Sequence, residues 1–317
     1  MSNEHRRAPH DRRHETWELY LSRREVTAGE TIGVTITTSP HHDADRIAVP
    51  DIVVRGGEVT LVRTVIYRYR HAKAFGGAHA APDRRSEIID RQVLPAGGER
   101  MTAEDHVAAR TTVLVPPDEP GTVAGTLVDI RWVVKAHLAI DGGPDIDLAR
   151  TIKVLSGSMG GCGVNQQPPV VIDWGCAVLG FDSLKEQRIT PGSEVSGVLS
   201  VASNGPLSAR GLRVELVLRE NVLHGPWLGE DPAPNPDHQE KEAEVVVATT
   251  APASQIDFLQ AENRRFPFAF TVPEQLAGPS LRTPEFTLTW ILRGVMDLAW
   301  RPDPRVEITM LAATTPE

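Results

Sequence analysis

The constraint that shapes every later reading of this chain is an internal repetition one domain long. The stretch "TTVLVPPDEPGTVAGTLVDIRWVVKAHLAID" begins at Thr111 and the stretch "FPFAFTVPEQLAGPSLRTPEFTLTWILRGVMDLAW" begins at Phe266. Both run through a short apolar strand, a Val-Pro step, a Gly/Pro-rich crossing and a long alternating segment around a tryptophan. Val115-Pro116 and Val272-Pro273 lie 157 residues apart (272 − 115), and Trp132 and Trp290 lie 158 apart. Ile152 and Ile308 match at 156, and "VTAGETIGVTITTS" from Val26 matches "ITPGSEVSGVLSVAS" from Ile189 at 163. Between these, "VRTVIYRYR" from Val62 takes the place of "LRVELVLRE" from Leu212, at 150. Matches in one order, at offsets that drift only with loop length, mean two copies of one fold.

The type of fold follows from the period. In "DIRWVVKAHLAI", Ile130, Trp132, Val134, Ala136, Leu138 and Ile140 fall on one face, and Arg131, Lys135 and His137 on the other. In the second copy Leu288, Trp290, Leu292, Met296 and Leu298 share a face opposite Thr287, Thr289, Arg293 and Asp297. Strict alternation over this length is a half-buried strand, with each tryptophan anchoring a core. Further strands read at residues 31–38, 58–70, 194–202 and 211–220, separated by the Gly, Pro, Asn and Asp clusters that turns require. The segment "PEQLAG" has room for one helical turn at most. The expected fold class is all-β: two tandem immunoglobulin-like β-sandwiches arising from duplication. A chain of 317 residues exceeds the usual span of one core. The expected division is a basic polar tail at 1–14, a first sandwich at 15–155, a linker "SGSMGGCGVNQQPP" at 156–169 and a second sandwich at 170–317.

A formal net charge of −9 argues against a nucleic-acid surface, which needs clustered Lys and Arg. The basic run "EHRRAPHDRRH" has no apolar core of a secretion signal, and no apolar stretch approaches the roughly 20 residues of a membrane span. Two cysteines, Cys162 and Cys176, make no disulfide framework, and no Asn-x-Ser/Thr acceptor occurs. The expectation is a reduced, cytoplasmic protein without cofactor, nucleic acid or membrane span.

No catalytic motif is present: no Gly-x-Ser-x-Gly, no His-Glu-x-x-His, no phosphate loop with its lysine. His41, His42, Asp43 and Asp45 stand close together in "SPHHDADR", and His41, His42 and Asp45 are weak candidates for a metal site. Neighbours on an extended segment point opposite ways, which favours a solvated loop instead. Two connections, residues 71–87 and 222–242, are longer than a sandwich needs and occupy matching places in the two copies. Connections of that length commonly bind partners. Phe75, Arg84 and Arg85 in the first, and His224 and Trp227 in the second, are the candidate partner-binding residues. The first connection is locally basic and the second, "GEDPAPNPDHQEKEAE", acidic, a polarity suited to steering a partner or to self-association.

The early "ITPGSEVSGVLSV" and the later "FPFAFTVPEQLAGPSLRTPEFTLTWILRGVMDL" resemble elements of the arrestin-like superfamily: arrestins, the arrestin-like subunit of retromer and bacterial sporulation-control proteins. The resemblance covers both copies, from about Trp17 to Ala313, and rests on packing and turn residues. It implies a tandem sandwich that binds other proteins without catalysis. The polar core and phosphate-sensing lysines of animal arrestins are not placed by it, nor is the Gln-rich strand of the sporulation-control type. Together the observations point to a non-enzymatic adaptor, scaffold or regulator whose partner is another protein. A self-assembling subunit of a larger particle, a homo-oligomer, is the first alternative, and a metal- or ligand-binding module the second.

Overall fold

The structure, a computed structural model, describes residues 16–39, 52–72, 78–94, 100–101, 107–156, 170–222 and 241–313. Every regular element among the described residues is a strand, and residues 273–278 form no helical turn. No helix there is long and apolar enough to cross a membrane. The first copy contributes β1 (Thr16–Leu21), β2 (Glu25–Thr27), β3 (Thr31–Ser39), β4 (Ile52–Ala72), β5 (Ala78–Leu94), β6 (Arg100–Met101), β7 (Val107–Leu114), β8 (Val123–Ala124), β9 (Val128–Ile140) and β10 (Ile146–Leu155). The second contributes β11 (Val171–Asp173), β12 (Ala177–Phe181), β13 (Arg188–Ile189), β14 (Glu194–Ser203), β15 (Leu207–Val222), β16 (Lys241–Phe258), β17 (Asn263–Thr271), β18 (Leu281–Arg282), β19 (Phe286–Leu298) and β20 (Arg305–Ala312).

Each copy is a sandwich of a small and a large sheet. The small sheets run β1-β3-β7 and β11-β12-β14-β17. The large ones run β2-β10-β9-β4-β5 and β13-β20-β19-β15-β16, with β8 and β18 added at matching places on β9 and β19. Both large sheets begin with one parallel pair, Val26 beside Val154 and Ile189 beside Ala312, and are otherwise antiparallel. Trp132 and Trp290 are fully buried at the centres of β9 and β19.

The duplication is visible bond by bond. The Trp132 indole N–H donates to the Pro120 carbonyl at 3.2 Å, and that of Trp290 to the Gly278 carbonyl at 3.1 Å. Thr122 Oγ1 accepts from the Val154 amide at 2.8 Å, and Ser280 Oγ from the Ala312 amide at 2.9 Å. The Gly29 amide donates to the Val115 carbonyl and the Gly192 amide to the Val272 carbonyl. These two glycines hold φ of 97° and 73°, a region that disfavours other residues. The repeated "AGE", "PGS" and Val-Pro steps are therefore the two ends of one turn contact, with proline placed where no further amide is needed.

Strand registers correct two of the sequence matches. Trp132 faces Ile152 and Trp290 faces Met310, so Ile152 corresponds to Met310 and not to Ile308. Val62 faces Val133 and Val217 faces Ile291, so Val62 corresponds to Val217, not to Leu212. The second error is five residues, an odd number, and would exchange the two faces of β15. Alternation alone cannot fix register without the partner strand.

The connection expected over 71–87 is also largely strand. β4 continues to Ala72 and β5 starts at Ala78, with Val65 beside Arg85 and Ile66 beside Arg84. An edge hairpin is held by its backbone ladder and needs no apolar alternation, so its sequence carries no strand signal. Truncating either tryptophan removes the largest side chain of its core. We expect Trp290→Ala to destabilise the second sandwich by about 3–5 kcal/mol in chemical unfolding, and Trp132→Ala to do the same to the first.

Candidate functional site at the junction of the two sandwiches

Along β15 the residues Leu212, Val214, Leu216, Leu218, Glu220 and Val222 alternate into the core, and all are buried. One of the six is a carboxylate. A buried carboxylate is costly unless donors surround it. Glu220 is fully buried beside Leu288 of β19, and its donors come from the other sandwich. Oε1 accepts from the Thr126 amide at 2.6 Å; Oε2 accepts from the Leu127 and Val128 amides at 2.7 and 3.0 Å. Three charge-assisted bonds thus cap the turn that leads into β9. A side chain at Gly125 would collide with them, since a Cβ there would stand 2.5 Å from Glu220 Oε2. The same turn is gripped from the opposite side by Arg68 of β4. Its Nη1 donates to the Gly125 carbonyl at 3.0 Å and its Nη2 to Asp129 Oδ2 at 3.0 Å.

The equivalent turn of the second copy, residues 283–286, is closed differently. Thr283 Oγ1 accepts from the Glu285 and Phe286 amides at 3.3 and 3.1 Å. By register, Thr283 stands where Gly125 does, and Glu220 stands where the first copy has Val65. One turn caps itself; the other is capped in trans.

Around this contact the sandwiches touch further. The Ala124 amide donates to the Ala277 carbonyl at 2.7 Å, and the rings of Tyr67 and Phe286 meet edge-on at 5.9 Å. A Cβ at Gly278 would approach Val123 Cγ2 to 2.9 Å, so glycine permits the close pass. Arg85 reaches Glu285 at 3.8 Å across the junction. Beside these contacts lies a cleft of about 290 Å³, lined from one side by Arg63, Tyr67, Arg85 and Glu87 and from the other by Glu285 and Phe286. Arg63 binds Glu119 and, at 2.7 Å, Glu87. Burial pushes the Glu119 carboxyl above its usual range and outweighs the pull of Arg63 in the other direction.

Of the residues singled out in the sequence, Arg84 and Arg85 are exposed on β5 at the edge of this junction. His41, His42, Asp45, Phe75, His224 and Trp227 lie outside the described residues. Cys176 is a half-buried free thiol packed against the core. No group of three or more His, Cys, Asp or Glu among the described residues is placed to hold a metal ion. Glu220 and Gly125 escaped the sequence reading. The available signal was an acidic residue in core phase, two positions after Leu218.

A second polar cluster lies on the other face of β15 and its neighbours. Arg293 Nε donates to Glu307 at 2.8 Å and its Nη2 to Glu244 at 2.6 Å, while Arg219 Nη2 bonds the same two carboxylates. Val217 and Ile291 are buried beneath them. In the first copy the matching cross-strand pair is Thr64 and Ser86, sharing one hydroxyl bond of 3.0 Å. The network is closed on itself and reads as a roof over apolar side chains. Burial raises the Glu244 carboxyl, but hydrogen bonds from Arg293 and Arg219 win and hold it below the usual 4.5.

Two outcomes follow from these clusters. Glu220→Val should cost about 3–5 kcal/mol in unfolding, as for removing one partner of a buried charged contact. For Glu244 the folded value is depressed, so its contribution is complete above 4.5 and fades as pH falls through the folded value. Unfolding midpoints followed downward from that pH should drop faster for the natural protein than for Arg293→Met.

No family model matches the chain, and no curated protein matches it. Among solved structures it is similar to the sporulation control protein Spo0M of Bacillus subtilis, at 17% identity and a TM-score of 0.35. The match covers 44% of this chain and 51% of that one, so it spans about half the length of the structure it resembles.

Proposed function

We propose that the chain is a non-enzymatic, cytoplasmic adaptor or regulator that binds another protein across the junction of its two sandwiches, with the linker at 156–169 dividing them. One observation carries this reading: the second long connection leaves its sheet at the junction, and the β4–β5 hairpin extends beyond it. β4 runs past Tyr67 into its hairpin, and β15 ends at Val222, which pairs with Phe286. Phe286 is the residue that Tyr67 touches. A surface assembled from two sandwiches and fixed by Glu220 needs little reordering on binding, which favours affinity. Arg85 reaches Glu285 beside Phe286, the partner of Val222, and charges of both signs at one rim orient an incoming partner. Free sheet edges form a second class of contact.

The test uses the tagged full chain isolated from its host, with the bound protein identified and quantified by mass spectrometry. Arg85→Glu combined with Trp227→Ala should lower recovery of a stoichiometric partner about tenfold or more, the scale of a lost interface anchor. Unchanged recovery with an unchanged unfolding midpoint would sink the junction reading.

A further inference from the structure

The cleft at the junction has a floor of one character and a mouth of another. Val65 and Tyr67 of β4, Ile130 of β9 and Phe286 of β19 line it and are all buried, so its floor is apolar and aromatic. Arg85, Glu87 and Glu285 line it with side chains 57%, 47% and 32% exposed, so its mouth is charged. At that mouth the acceptors outnumber the donors. Glu87 accepts at Oε2 from Arg63 Nη2 at 2.7 Å, and among the described residues no donor reaches its Oε1. Glu285 meets only Arg85 among the described residues, at 3.8 Å, too far for a hydrogen bond. Arg63 spends Nη1 on Glu119 and Nη2 on Glu87, and its Nε is buried away from solvent. The Thr283 hydroxyl donates within its own turn, to the Phe286 carbonyl at 3.1 Å.

We infer that the cleft takes a lysine or arginine side chain of the partner protein, its stem along the floor and its cationic head between Glu87 and Glu285. The volume of about 290 Å³ lies at the bottom of the roughly 300–1,000 Å³ range of small-molecule sites and suits a single side chain. Lysine and arginine have the same two-part character as the cleft, an apolar stem below a charged head. Aromatic residues in the floor attract a cation, and carboxylates with unfilled lone pairs attract its N–H donors. An acidic side chain would instead meet two carboxylates at the mouth, and an apolar one would strip them of water without replacing it. The chain's own Arg85 already leans over the mouth and holds Glu285 in place across the junction. The inference rests on the junction reading and names the group by which the partner is gripped.

Titration of the isotope-labelled full chain with single blocked amino acids, followed by the backbone amide resonances, tests the occupant. N-acetylarginine amide and N-acetyllysine amide should shift Arg85, Glu87, Glu285 and Phe286, saturating with a Kd on the order of 1 mM. N-acetylnorleucine amide, which has the stem without the charge, and N-acetylglutamate amide should leave them in place. Glu285→Gln should weaken the basic probes about fivefold, the scale of a half-exposed ion pair, without moving the unfolding midpoint. Glu285→Arg should reverse the preference and admit the glutamate probe, an outcome that mere damage to the cleft would not give. No saturating shift by about 50 mM, or a glutamate probe that binds the natural chain as well as the arginine one, overturns the inference. If no basic probe binds while partner recovery still falls in the Arg85→Glu, Trp227→Ala chain, this inference fails and the junction reading stands. If the basic probes bind while recovery is unchanged, the junction reading fails, and the cleft fails with it as a partner site.

Discussion

The contact between the Glu220 carboxylate and three amides of the opposite sandwich sets the terms for the rest of the molecule. A carboxylate inside an apolar strand face loses its water, and amides at a buried turn lose theirs; each satisfies the other only in one arrangement. The requirement fixes β15 in register, because a slip by one residue would bring Arg219 or Asn221 to the turn. It also fixes Gly125, the one residue that leaves room for the carboxylate. Such a contact specifies orientation more than it adds net stability, since separation would return both partners to water.

Duplication gave two sandwiches the same internal wiring, and the copies have diverged where that wiring meets the outside. The tryptophan, hydroxyl and glycine bonds persist at matching positions. The differences gather in three places. At the junction Val65 and Gly125 answer to Glu220 and Thr283. On the outward sheet face a hydroxyl pair answers to an ionic network. At the sheet edges a β5 charged along its length answers to a β16 whose middle, Val245–Ala251, carries no charge. A nearly symmetric scaffold thereby carries unlike surfaces.

Much of the architecture could be read from the chain. β9 and β19 announce themselves by alternation, because one face is core and the other meets solvent or charge. The turn residues around Gly29 and Gly192 are legible because few residues tolerate their backbone. The register of β4 against β15 was not legible, since both alternate and only their partner strands break the tie. The β4–β5 hairpin was missed because its ladder needs only backbone. At the site, Arg85 was reached from its place in a long connection. Glu220 was not, because a charge that ends a strand pattern normally marks where the strand leaves the core. Here it marks where the core of one sandwich continues into the turn of its neighbour.

The trans-capped turn also has a direction in time. The amide of Thr126 is synthesised 94 residues before the carboxylate that it binds. During translation the first sandwich must therefore close around its own core with residues 126–128 still bonded to water, until β15 emerges and docks. The matching turn of the second sandwich is closed by its own Thr283 and needs nothing from the first. Assembly is ordered by this asymmetry: the first sandwich completes its turn only once the second has begun to form.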